Sequence, residues 1–303
     1  MTSTKSSQSP PPAPTQIDVR AWVADAADPR DREFRQCVHT ILHALSTLPE
    51  VTESIALKGA VLLSLKYQLT RATRDIDFST EARINGFDVE AFVARFRAAL
   101  TQATDALPYG LVCNIQKHEI DPPRVDATWP TLRVNVGYAP ALDRARMRKL
   151  RSDSGTPTLI TFELSFNEPL VALELLALED NEQTTLRAYA LSEFVAEKFR
   201  AMIQQPIRQR ARPQDALDLY TLLQREPNLR TPDTMERILE TLVTKSTSRN
   251  ITVTRESLQN PDIRRRSSEG YVTLASSVAF DMPSFETVYP AVADYYESLP
   301  WKF

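Results

Sequence analysis

The sequence predicts an α+β fold, with a mixed half of strands and helices over residues 17–170 and a helical half over 171–303. Three observations point there. The segments Leu111 to Lys117, Leu132 to Tyr138 and Thr158 to Phe166 alternate apolar and polar residues with the period of two that a half-buried strand requires. From Leu191 the period lengthens, and Leu191, Phe194, Val195, Lys198, Phe199 and Met202 lie along one helical stripe. Between residues 54 and 78, a short apolar strand runs into a Gly turn, a helix and a second strand carrying two carboxylates.

Taken in order, residues 1–16 are rich in Ser, Thr and Pro, including Pro10-Pro11-Pro12, and are expected to be a disordered tail with little to bury. They hold no apolar run, so no secretory signal is expected. An amphipathic helix follows, with Phe34, Val38, Ile41, Leu42 and Leu45 at spacings of three and four. His39 and His43 share that helix at i, i+4, but no third ligand accompanies them, and a surface or packing role is expected. Ser54 to Leu57 reads as a strand, Ala60 to Gln68 as a helix and Arg74 to Ser79 as the next strand. Val89, Phe92, Val93, Phe96 and Leu100 mark another helix. A basic stretch, Arg144, Arg146, Arg148, Lys149 and Arg151, leads to a turn at Gly155 to Pro157. Beyond the stripe at Leu191, Arg208, Arg210 and Arg212 form a basic turn, and helices are expected over Asp215 to Leu223 and Asp233 to Lys245. The remainder, with Arg264 to Arg266 and Tyr289, Tyr295, Tyr296 and Trp301, has no clear period.

With 303 residues, 42% hydrophobic and 25% charged, the chain can bury a sizeable core. A net charge of −3 makes no general case for a polyanionic partner, so any basic surface must be local. Cys37 and Cys113 give no disulfide framework and are expected as reduced thiols in the cytoplasm. No stretch approaches the ~20 apolar residues of a membrane helix.

The chemistry gathers on the acidic strand. Asp75 and Asp77 point to one face, roughly 6.5 Å apart along the chain, while Ile76 and Phe78 enter the core. Like charges so placed repel and lose solvation, and a hard cation reconciles them. Mg²⁺ (or Mn²⁺) handling a nucleoside triphosphate is the reading that follows. Phosphoryl or nucleotidyl transfer also needs an activated hydroxyl and cations for the leaving pyrophosphate. Glu163, on the polar face of its strand, is the candidate third metal ligand, or else a salt-bridged strand Glu. Gly59 and Ala60 open a helix whose N–H groups suit a phosphate. Lys58 either touches that phosphate or is a solvated Lys at a strand end. Lys198 occupies an apolar stripe position, which a cation aimed at a triphosphate explains. Asp215 either orients Lys198 or a guanidinium toward the nucleotide, or simply favours the helix dipole. Asp218 is read as structural. No Gly-x-Ser-x-Gly elbow or Walker-type loop is present, and six glycines leave no room for a kinase-type flap.

The run Leu57-Lys58-Gly59-Ala60 through Arg74-Asp75-Ile76-Asp77-Phe78, the strand with Glu163, Glu197-Lys198, and Arg212-Pro213-Gln214-Asp215-Ala216-Leu217-Asp218-Leu219 resemble the AbiEii/AbiGii toxin family of nucleotidyltransferases, which includes the MenT-type toxins. The resemblance spans residues 35 to 225. It implies a polymerase-β-like nucleotidyltransferase core, a helical C-terminal half, Mg²⁺-dependent transfer from an NTP, and a cognate antitoxin in a type IV or related system. Some members add nucleotides, often pyrimidines, to the tRNA 3′ end and so stop translation. Carried over, Gly59 and Ala60 stand at a Gly-Ser-like motif, and Asp75 and Asp77 are the metal ligands. Glu163 falls where a third acid is expected. Lys198 matches the nucleotide-binding lysine, and Asp215 the catalytic aspartate of the last motif. Two departures loosen the substrate assignment: Ala60 replaces a small hydroxyl or Gly, and Ala72-Thr73 stand where a Ser often lies. Arg144 to Arg151 and Arg264 to Arg266 are either RNA-phosphate contacts or solvated faces. Two other functions stay open, transfer to a protein or small molecule and NTP-binding regulation without turnover.

Overall fold

The computed structural model describes residues 13–302, apart from 70–72, 125, 153–154, 157, 179–183 and 279. Pro10 to Pro12 of the expected tail, Arg71, Ala72 and Pro157 therefore lie outside the described residues. The described strands are β1 (Thr15–Ile17), β2 (Ile55–Lys58), β3 (Asp75–Thr80), β4 (Leu111–Asp121), β5 (Thr131–Pro140), β6 (Leu159–Ser165), β7 (Leu173–Leu178) and β8 (Thr185–Tyr189). They form one mixed sheet in the order β1-β7-β8-β2-β3-β6-β5-β4. At its centre β2 runs antiparallel to β3, and β3 runs parallel to β6.

The helices before the sheet is complete are α1 (Val19–Ala24), α2 (Pro29–Ser46), α3 (Pro49–Ser54), α4 (Gly59–Tyr67), α5 (Val89–Ala106) and α6 (Arg144–Leu150). After β8 come α7 (Leu191–Ile203), α8 (Gln205–Arg208), α9 (Pro213–Arg225), α10 (Pro232–Ser248), α11 (Pro261–Ser268) and α12 (Phe285–Glu297). Among the described residues, no helix is long and apolar enough to cross a membrane.

The sheet's two faces differ in kind. Ile76 and Phe78 of β3 and Ile160, Phe162 and Leu164 of β6 are fully buried. Phe162 packs 5.3 Å from Phe78 and within 6 Å of Phe92 and Phe96 of α5, measured between ring centroids. Burying each such side chain contributes about 1.5–3 kcal/mol. The alternate residues, Asp75, Asp77, Thr161, Glu163 and Ser165, therefore share the other face. That is the face carrying chemistry. His39 is buried in α2, with Nδ1 2.7 Å from the Tyr109 hydroxyl, a packing role.

Two expectations are corrected, and a third segment is given its structure. Thr15 and Gln16, assigned to the tail, pair in parallel with Leu176 and Ala177. The half expected to be helical from 171 begins with β7 and β8. The run Leu173-Glu174-Leu175-Leu176-Ala177-Leu178 has good helix formers and no β-branched residue, so local preference hides a strand that sheet pairing imposes. The basic stretch at 144 is a helix, α6. Asp143 caps it by accepting the Ala145 and Arg146 N–H groups, and Met147 and Leu150 anchor it.

Candidate active site

The β2–α4 turn sets the first wall. Gly59 sits at φ +75°, in the left-handed region that glycine enters without strain. A Cβ there would lie 2.7 Å from Asp77 Cγ, so the turn backbone packs directly on the Asp77 side chain. Only glycine permits that approach.

Sheet register then assembles a charged row. Lys58 lies opposite Asp77, Asp77 opposite Glu163, and Glu163 opposite Arg133. Two carboxylates directly opposed on neighbouring strands repel each other. Burial, followed by Glu163 and Asp75, outweighs the opposing pull of Lys58 and Lys198 and pushes the Asp77 carboxyl up to about 6. Arg133 Nε donates to Glu163 Oε1 at 2.9 Å, and its guanidinium also pairs with Asp121 at 2.7 Å. Lys58 Nζ donates to Ser165 Oγ at 3.3 Å. Burial works against the Lys58 charge, but Tyr189, Glu197, Glu168 and Asp77 raise its pKa.

The opposite wall comes from α7 and α9. Lys198 donates to Asp215 Oδ1 at 2.8 Å and Asp218 Oδ2 at 2.7 Å, with its ammonium 5.0 Å from the Phe194 ring centre. Arg212 Nε donates to the other oxygen of Asp215. Burial resists the charge on Asp215, yet Arg212 and Lys198 hold its carboxyl well below the usual carboxylate range. Burial also opposes the Lys198 ammonium, and Asp215 and Asp218 raise its pKa.

Lys58, Gly59, Ala60, Asp75, Asp77, Glu163, Lys198 and Asp215 thus line one cavity of about 790 Å³. Sequence reasoning named all of them but understated Asp218, which grips Lys198. It missed Arg133, although the β5 alternation places that residue on the polar face. It also missed the charged floor of the cavity. There Arg200 pairs with Glu197, and behind that lining Lys245, only 1% exposed, pairs with Glu193 at 2.7 Å and Glu197 at 3.5 Å. Arg249 pairs with Glu168 and lies 4.4 Å over the Trp129 ring. Lys245 was hidden because its helix is otherwise read as ordinary amphipathic.

The oxygen donors suit a hard divalent ion, because Mg²⁺ takes one or two carboxylates and completes its shell with phosphate and water oxygens. Among the described residues no group of three or more His, Cys, Asp and Glu is arranged to hold a metal, and Arg133 already holds Glu163. The fit therefore rests on Asp75 and Asp77. A cation beside Asp77 would offset the burial and the acidic neighbours that raise its pKa.

A family model described as nucleotidyl transferase AbiEii toxin, type IV TA system, matches residues 41–298. No curated protein matches the chain in sequence. Among solved structures, JHP933 from Helicobacter pylori aligns with a TM-score of 0.50 at 15% identity, covering 90% of this chain and 94% of its own, a likeness of fold. MenT4, a nucleotidyltransferase toxin from Mycobacterium tuberculosis H37Rv, aligns at 0.44 and 15% identity, covering 93% and 97%. With the family model spanning most of its length, the chain belongs to the AbiEii nucleotidyltransferase toxin family.

Proposed function

We propose that this toxin transfers a nucleotide from an NTP to the 3′ end of an RNA, with tRNA as the acceptor, and thereby blocks translation. The reading is supported most by one observation: Asp77, packed on the Gly59 turn and opposed to Glu163, faces Lys198 across a single cavity. Asp75 and Asp77 hold Mg²⁺, or Mn²⁺, which supplies charge neutralisation for the triphosphate. The N–H groups that open α4, with Lys58, take phosphate oxygens. Ala60 lends no hydroxyl there, so the backbone carries that contact. Lys198, kept charged and oriented by Asp215 and Asp218, faces the leaving pyrophosphate. In the transfer, the acceptor hydroxyl oxygen bonds to the α-phosphorus as the bond to the β-phosphate oxygen breaks. Pyrophosphate leaves with the electron pair, and a carboxylate of the acidic row takes the hydroxyl proton. A cognate antitoxin in the same cytoplasm would restrain this activity.

The test is incorporation of each of the four labelled NTPs into total tRNA with Mg²⁺ or Mn²⁺. The reading expects label in RNA from the wild type and none from Asp77→Ala. Label in protein or small molecules alone would replace the acceptor. Incorporation by Asp77→Ala would remove the site.

A further inference from the structure

A second cavity, of about 1070 Å³, adjoins the first, and Thr73 lines both. Arg74, which lines it, immediately precedes Asp75. Each cavity alone is large enough for a small ligand, whose sites span ~300–1,000 Å³, so the NTP leaves the second one unaccounted for.

Its lining mixes aromatic rings with guanidinium groups. Trp22, Phe34 and Tyr138 supply the rings. Trp22 is fixed by an Nε1–H donated to Ser64 Oγ at 2.9 Å, with the Arg35 guanidinium 5.0 Å over the ring. The carboxylates in the cleft are engaged. Asp28 caps α2 by accepting the Arg30 and Asp31 N–H groups, Asp31 pairs with Arg35 at 2.8 Å, and Glu33 pairs with Arg146 at 2.6 Å. Arg30 and Arg74 are exposed and join no ion pair among the described residues. Beside them, α6 sends Arg146 into the cleft and leaves Arg144, Arg148, Lys149 and the capping Arg151 exposed to solvent. In a chain of net charge −3 this is a local basic surface.

We propose that this cleft binds the unpaired 3′ end of the acceptor RNA, its bases against the aromatic wall and its phosphates on Arg30, Arg74 and the outer face of α6. The proposal rests on the transfer reading above. Unpaired bases are the form in which RNA offers ring faces to aromatic and guanidinium planes, whereas paired helices present mainly phosphate and ribose. Passing Thr73 and Arg74, the terminal ribose arrives beside Asp75.

The test is fluorescence anisotropy with a 5′-fluorescein RNA oligonucleotide, either single-stranded or annealed to its complement, at 50 and 200 mM salt as working conditions of the order used for such contacts. The wild type is compared with Arg30→Glu/Arg148→Glu, both exposed positions outside the catalytic cavity. The expected result is preference for the single strand, about tenfold or greater weakening in the variant, and a salt slope lower by roughly 1–2. NTP affinity stays within about twofold, because the altered groups lie outside the first cavity. Equal RNA affinity in both proteins, preference for duplex, or no RNA binding by the wild type would overturn the proposal. Label incorporation measured in parallel separates the two readings. Transfer to RNA that the variant leaves unchanged removes the cleft alone. Binding in the cleft without any transfer removes the transfer reading alone.

Discussion

Two walls of one cavity handle charge in opposite ways. On the sheet, Asp77 faces Glu163 across the register and carries a carboxyl pushed up to about 6 by burial and its acidic neighbours. On the helices, Asp215 is buried more deeply than the half-buried Asp77, but Arg212 and Lys198 hold its carboxyl well below the usual range. Burial is common to both, so partners decide the sign. The helical wall is complete in itself, a clamp that presents Lys198 in one orientation. The sheet wall leaves Asp77 and Glu163 opposed, and in the proposed function a divalent cation compensates them.

The comparison breaks most visibly at Asp77. Asp77→Ala should cut labelled-nucleotide incorporation by about 10³-fold or more while the protein stays folded, since beyond the proposed ligand it removes only a small contact with the Gly59 turn. Retained turnover with unchanged near-UV circular dichroism would show that the sheet wall is not where the chemistry occurs. Next in size is Asp215→Ala, which leaves Lys198 and Arg212 facing each other with half their compensation. Breaking such a buried pair costs about 3–5 kcal/mol, read as a lower urea midpoint. Because the folded pKa of Asp215 is depressed, its contribution is present above the ordinary carboxylate pKa of about 4 and is lost as pH falls below it. The gap between wild type and variant should therefore close in acid, and a gap constant with pH would contradict the clamp.

Smaller effects sharpen the difference. Gly59→Ala forces a side chain into φ +75° and against Asp77, at about 1–3 kcal/mol of strain. Urea unfolding reads that loss, and incorporation should fall with it. Asp77→Asn should move stability the other way. Its folded pKa is raised, so the ionised group burdens the metal-free protein above about pH 6 and the burden disappears as pH falls toward about 4. The variant should melt about 2–6 °C higher than the metal-free wild type at pH 8, with the two converging near pH 4. A lower melting temperature for the variant at pH 8 would mean that Asp77 is stabilised as an anion without any metal.

Period and spacing made the acidic strand legible. Alternation around Ile76 and Phe78 assigns Asp75 and Asp77 to one face, and the structure agrees. The Gly59 turn and the stripe with Lys198 were legible for the same reason, each being a local pattern. What sequence could not supply was register. Nothing local says that Glu163 stands opposite Asp77 and within reach of Arg133, because strand pairing joins segments some thirty to ninety residues apart. Asp218 was undervalued since its partner sits twenty residues earlier on another helix. Lys245 illustrates the same limit, its cation being reconciled by Glu193 and Glu197 of a helix about fifty residues away. In β7, helix-favouring leucines concealed a strand that only its neighbours reveal.

Titrating Mn²⁺ into the protein with a non-hydrolysable NTP analogue, and following the free ion by electron paramagnetic resonance, probes the sheet wall directly. Wild-type protein should take up the ion with the analogue, and Asp77→Asn should bind it at least about tenfold more weakly. Equal Mn²⁺ affinity in the two proteins would mean that the acidic row does not hold the ion.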